Sequence, residues 1–209
     1  MSELFSLAAH DLAALLCSKV CHDIISPVGA INNGLELLDE GGADEDAMNL
    51  IRTSAQNASA KLQFARIAFG AAGSAGMQID TGDAAAVATA FFRNEKPELT
   101  WSGGRALLPK NKVKLLLNLL MVSNGAIPRG GSISVELSDL ETAPRFDILA
   151  KGPMVRVPPK FLEMHSGRVP EEPVDAHSVQ AYYTLLLARE TGMTISIVAN
   201  AEQLKVSAQ

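Results

Sequence analysis

Little in this chain points to a cross-linked or strongly charged scaffold. Its 209 residues include two cysteines, and aromatic residues make up 5 %. Two cysteines cannot form a disulfide framework. No block of Lys or Arg occurs, and the formal net charge of −5 argues against nucleic-acid binding, which needs a clustered basic surface. The longest strongly apolar run, Leu115 to Val122, is interrupted by Asn118 and is far shorter than a bilayer span. The N-terminus, MSELFSLAAHDLAALL, carries acids where a secretory signal needs a basic start. These features predict a cytoplasmic protein that engages neither membrane nor nucleic acid. With 47 % apolar and 20 % charged residues, the chain can build one domain or two small ones.

Cys17 and Cys21 lie four apart in a helical stretch beside His22. That spacing can put two thiols on one face as metal ligands. The preferred alternative is a pair of small buried residues, because no fourth ligand lies nearby. Neither a metal nor a disulfide is expected.

Between Ser6 and Glu40, Val20, Ile24, Pro27, Ile31, Leu35 and Leu38 recur at steps of four and three, which predicts one long amphipathic helix. Gly41-Gly42 should stop it, and Asp44 can cap the next helix. There Met48, Ile51, Ala55, Ala58, Leu62, Ala65 and Phe69 repeat at steps of three and four, a pattern suited to close packing. Each helix also carries a second apolar flank (Leu15, Leu16, Ile25 and Val28; Leu50, Phe64 and Ala68), which a lone hairpin cannot cover. Dimerisation into a four-helix bundle is the expected solution, with burial under the rest of the chain as the alternative.

The small residues from Gly70 to Gly76 read as a linker. Beyond them the sequence predicts a helix over 83–92, a strand over 98–101, a buried helix over 110–122, and strands over 132–137 and 145–150. A proline-rich connection follows through Pro158-Pro159 and Pro170 to Pro173. Next come a helix over 179–190 ended by Gly192, a strand over 194–199, and an edge strand over 203–207. The fold class is α+β, a helical hairpin over 1–72 followed by an α/β sandwich over 78–209.

The string Cys21-His22-Asp23-Ile24-Ile25-Ser26-Pro27 lies mid-helix. At about 100° per residue, His22 is rotated roughly 160–200° from Val20 and Ile24 and should face solvent. Free imidazole titrates near neutral pH, so a neutral nitrogen nucleophile is available. Phosphoryl transfer needs mainly alignment and charge neutralisation, which a rigid exposed histidine suits. Pro27 removes a helical hydrogen bond at a cost of about 3 kcal/mol and needs a reason to be there. His10-Asp11 is a second such pair, but Leu15 occupies its proline position. His165 and His177 have no acid or nucleophile placed beside them by sequence and read as surface residues.

His22-Asp23-Ile24-Ile25-Ser26-Pro27-Val28 resembles the H-box of sensor histidine kinases, His-Glu/Asp-x-x-x-Pro followed by an apolar residue. The rest resembles the GHKL (Bergerat) ATPase domain of those kinases in degenerate form. Asn118-Leu119-Leu120-Met121-Val122-Ser123 has valine where the asparagine box holds magnesium. Ala150-Lys151-Gly152-Pro153-Met154 lacks the adenine-binding aspartate, and His177 to Tyr182 lacks the phosphate-covering glycines. With CHDIISPVGAINNGLELL, DAMNLI, LQFARIAFGA and AKGP, the whole chain resembles the ChpT family of alphaproteobacterial histidine phosphotransferases.

That resemblance implies a relay protein that passes phosphate from the receiver domain of a CckA-type hybrid kinase to CtrA-type and CpdR-type response regulators through His22. It implies no cofactor of its own, magnesium arriving with the receiver. Asp23 would orient the imidazole and Ser26 would contact the phosphoryl group, or each is an ordinary helix residue. Counting about 20 residues either side of the hairpin turn places Lys61 to Arg66 level with His22. Lys19, Lys61 and Arg66 are therefore candidates for steering an acidic receiver. Ile25, Val28, Gly29 and Phe64 are candidates for its docking surface or for core. An ATP-dependent kinase and a noncatalytic regulator-binding module are the competing functions.

Overall fold

A computed structural model describes residues 4–40, 45–70 and 78–209. The Gly41-Gly42 stop, the Asp44 cap and residues 71–76 of the expected linker lie outside the described residues. Helix α1 (Ala9–Asp39) and helix α2 (Glu45–Ala68) pack along each other as the predicted hairpin. Pro27 lies inside α1 with its ring buried, as is Gly34 seven residues on. At Gly34 the helices touch closely, because an added Cβ would stand 2.6 Å from Ile51 Cγ1 and 3.3 Å from the Ala47 carbonyl oxygen. Ala47, Ser54 and Ala58 keep the α2 side of this seam small.

The predicted α2 stripe splits into two rows. Ala58 is buried and Ile51 and Ala65 are half-buried, whereas Met48, Ala55 and Leu62, about 60° round the helix, stand exposed. Leu35, part of the predicted α1 stripe, is exposed too. The heptad pattern therefore spans the boundary between the seam and an open face.

Beyond the hairpin come β1 (Gln78–Asp80), α3 (Thr81–Phe92), β2 (Pro97–Ser102), β3 (Leu107–Pro109) and α4 (Lys110–Ala126). They are followed by β4 (Gly131–Ser138), β5 (Arg145–Lys151), α5 (Pro159–His165), α6 (Val179–Thr191), β6 (Ile195–Ala199) and β7 (Gln203–Ala208). The five-stranded sheet has the order β2-β4-β5-β7-β6, with only β2 and β4 parallel, and β1 pairs with β3 separately. Two expectations are corrected. Residues 203–207 are not an edge strand but lie between β5 and β6, where Leu204, Val206 and Ala208 are buried in the core. The proline-rich connection holds a short helix, α5, which Pro159 can open because its first turn needs no N–H there.

Alternation along β4 points Ile133, Val135 and Leu137 inward onto α4. Helix α4 is buried nearly all round, between the sheet, α6 and α2, which explains why its middle is apolar except for Asn118. Gly192 at φ +69° ends α6 as expected, since a left-handed cap favours glycine.

A buried amide joins the two regions. Asn118 of α4 donates to the carbonyl of Ala68 at the end of α2 (3.0 Å) and to Lys114 (2.8 Å), and its own carbonyl accepts from Gln180 of α6. On the solvated face of the sheet, Asp147 accepts from Arg145 (2.7 Å) and Ser207 (2.5 Å) and lies 3.4 Å from Lys205. The Arg145 guanidinium above all, with Ser207 and Lys205, lowers its carboxyl to about 2.

Asn118→Ala strands the Ala68 carbonyl and the Gln180 amide in a dry site, so urea unfolding should show a loss of about 2–4 kcal/mol. An unchanged midpoint would contradict the bridging role. Asp147 has a folded-state pKa below its unfolded value, so the stability it adds is complete above about pH 4 and disappears as pH falls towards 2. Asp147→Asn should remove about 1–2 kcal/mol at neutral pH and flatten the acid limb of stability against pH over that window.

Candidate functional site

The middle of α1 brings a short polar chain to the surface. Lys19 donates to Asp23 Oδ2 at 2.6 Å across one helical turn, and Asp23 Oδ1 lies 3.5 Å from His22 Nδ1. The His22 side chain is 73 % exposed, so the predicted outward orientation is met. With hydrogen on Nδ1 facing Asp23, Nε2 carries the free lone pair. Ser26 is exposed one turn further, about 40° round the helix from His22.

The hairpin count is met as well: Asp23 and Ile24 share a small cavity with Lys61, Phe64 and Ala65. The individual residues there differ from expectation. Phe64 is 2 % exposed and packs on Phe91 with ring centroids 4.7 Å apart, so it is core and not docking surface. Lys61 is mostly covered and lies 4.0 Å from Glu95, and Lys19 is held by Asp23, so neither is a free steering charge. Arg66 is exposed beside a groove shared with Cys17, Cys21 and Leu62. Ile25, at 71 % exposure, and Val28 are open to a partner, and Gly29 leaves free space above its Cα.

The cysteines are free and exposed instead of buried, because they sit on the open face of α1 and not in its seam. The Cys21 thiol is raised above its ordinary pKa by hydrogen bonding to Cys17. Among the described residues no group of three or more His, Cys, Asp or Glu is placed to hold a metal ion.

His177 was not expected here. It comes from the turn before α6, yet its ring meets that of His22 edge to face, with centroids 5.9 Å apart and planes at 76°. Asp175 fixes this turn by accepting from the Ser178 amide (2.8 Å) and hydroxyl (2.5 Å), bonds that hold its carboxyl below the usual range. The available signal was positional, since His177 opens the segment that replaces the phosphate-covering glycines of kinases. His165 is also more than a solvated residue, its Nε2 lying 3.0 Å from the Ile195 carbonyl oxygen. His10 lies with Asp11 at the exposed start of α1.

The three degenerate boxes are packed. Val122 and Ala150 are buried, Asn118 is committed to Ala68 and Gln180, and Ser178 to Ala181 are buried at the start of α6.

Comparison with known proteins concerns the chain as a whole. The histidine phosphotransferase C-terminal domain family matches residues 81–203. Protein phosphotransferase ChpT of Brucella abortus (strain 2308) is 73 % identical over 209 residues, all of both chains. A solved structure of a bacterial phosphotransferase superposes with a TM-score of 0.93 at 71 % identity, over 99 % of each chain. The histidine kinase domain of the blue-light activated kinase from Erythrobacter litoralis EL346 covers 96 % of this chain and 92 % of its own, with a TM-score of 0.50 at 12 % identity, and shows a shared fold alone. Full-length identity to a phosphotransferase, the matching C-terminal domain and the hairpin with its H-box lead to one conclusion: the chain belongs to the ChpT family of histidine phosphotransferases.

Proposed function

We propose that His22 is the phosphoacceptor of a two-component relay, taking phosphate from the receiver aspartate of a CckA-type hybrid kinase and passing it to CtrA-type and CpdR-type response regulators. The observation that carries this is the exposed His22 ring with Nδ1 towards Asp23; the tautomer with hydrogen on Nδ1 leaves Nε2 as the nucleophile. In the forward step the Nε2 lone pair attacks phosphorus, the Nε2–P bond forms, and the aspartyl O–P bond breaks with its electron pair leaving on the receiver carboxylate. His22 keeps its Nδ1 hydrogen, and the Asp23 carboxylate offsets the positive charge on the ring. Transfer to the acceptor is the reverse reaction on a second aspartate. The receiver's acidic pocket supplies magnesium, which neutralises phosphoryl charge in both steps.

The packed boxes support transfer without nucleotide, because the side chains that occupy those places offer neither a metal ligand nor an adenine partner. The open hairpin face supports a homodimer. Helix α1 is apolar and long enough by composition to cross a membrane, and only 6 % of its most apolar window is buried. Lys19, His22 and Asp23 near its middle, and its fit against α2, favour a cytoplasmic partner helix over lipid. A second copy supplies such helices in matching form, closing a four-helix bundle over Leu35, Met48 and Leu62.

In a purified relay of hybrid kinase, this protein and response regulator, His22→Ala should reduce acceptor phosphorylation to background while leaving the thermal midpoint unchanged. Phosphate reaching the regulator through the variant, or His22 labelling by ATP and magnesium without a partner, would overturn the reading. Light scattering should give the mass of two chains for the wild type and of one for Leu62→Glu. A monomeric wild type would refute the bundle.

A further inference from the structure

The contact between His22 and His177 joins the reactive helix to the other end of the chain. An exposed histidine on a helix ordinarily samples several χ1 and χ2 states, and only some present Nε2 in line with an incoming phosphorus. Here the ring meets two neighbours: Asp23 stands at Nδ1, and the His177 ring crosses it edge to face. Both supports are themselves held. Lys19 pins Asp23, and the Asp175–Ser178 turn fixes the backbone carrying His177. In the first turn of α6, Gln180 bonds to Asn118, tying that helix to α4 and to the end of α2.

We propose that His177 is a positioning residue for phosphoryl transfer, through which the C-terminal region holds the His22 ring with Nε2 presented to the receiver. The inference rests on the reading of His22 as phosphoacceptor and adds a function for the C-terminal region. In this role the segment orients the group that takes the phosphate. His177 touches neither the receiver aspartate nor the phosphoryl group, and its effect passes through the His22 ring.

The test uses the full-length protein and a CckA-type receiver domain phosphorylated by its own kinase core. Single-turnover transfer to wild type, His177→Ala, His177→Phe and His22→Ala is followed across receiver concentrations. His177→Ala should lower the maximal rate about three- to tenfold, with the half-saturating concentration within about twofold of wild type. Phe keeps an aromatic edge and face and should restore most of the rate. Nitrogen NMR of the imidazoles should show the His22 ring nitrogens shifted in the Ala variant and close to wild type in the Phe variant.

An unchanged maximal rate in His177→Ala, a defect confined to the half-saturating concentration, or a Phe variant no better than Ala would each overturn the proposal. Because His177 is exposed, matching circular dichroism of the variants is expected, and a collapse of fold in His177→Ala would likewise refute a role confined to the ring. Failure of the wild type to become phosphorylated at His22 would instead refute the underlying reading of the site.

Discussion

The relation between the hairpin and the sheet domain depends on the side-chain amide of Asn118. Buried among leucines, it must satisfy both its donor and its acceptor groups, and it does so with partners on two other helices. The Ala68 carbonyl is one of the unpaired groups at the end of α2, and Gln180 lies in the first turn of α6. Three helices are thus brought to one point, and the orientation of α6 against the base of the hairpin follows. Through the turn before α6, the same bridge settles where His177 stands relative to His22. In the kinases that this region resembles, the asparagine box serves nucleotide and metal; here Asn118, at the resembling position, bonds to Ala68, Lys114 and Gln180.

The hairpin is built asymmetrically. Its inner seam is narrow, with Gly34, Ala47, Ser54 and Ala58 permitting backbone-distance packing, and it buries few large side chains. The larger apolar residues, Ile25, Leu35, Met48 and Leu62, stand outside it. The pair of helices thus packs its small residues together and leaves its large ones exposed. His22 lies off the inner seam, and the polar chain from Lys19 through Asp23 runs along that side of the helix.

Local geometry was readable from sequence, and tertiary placement was not. His22, its orientation and the helix around Pro27 followed from periodicity and from the H-box resemblance. The level of Lys61 to Arg66 followed from helical rise alone. Phe64 was ambiguous because an apolar residue on a flank reads the same whether it meets Phe91 or a partner. The cysteines were assigned to the interior on their general preference, which the open face of α1 overrides. Residues 203–207 are short and terminal, features of an edge strand, yet pairing with both β5 and β6 depends on contacts about 60 residues away and on a nearby hairpin. His177 was invisible for the same reason, since nothing within its own stretch of chain points to a residue 155 positions earlier.

The position of His22 along α1 sets a length. Seventeen residues separate it from Asp39, the end of the helix, which at about 1.5 Å per residue is a platform of roughly 25 Å between the His22 ring and the end of α1. A small α/β domain of about 100 residues has a radius of gyration near 13 Å, so its footprint is of the same size as that platform. On the proposed reading, a partner seated over His22 would have the upper half of the hairpin beneath it. Shortening the hairpin by two turns would then leave the imidazole intact and remove the ground on which that partner would stand.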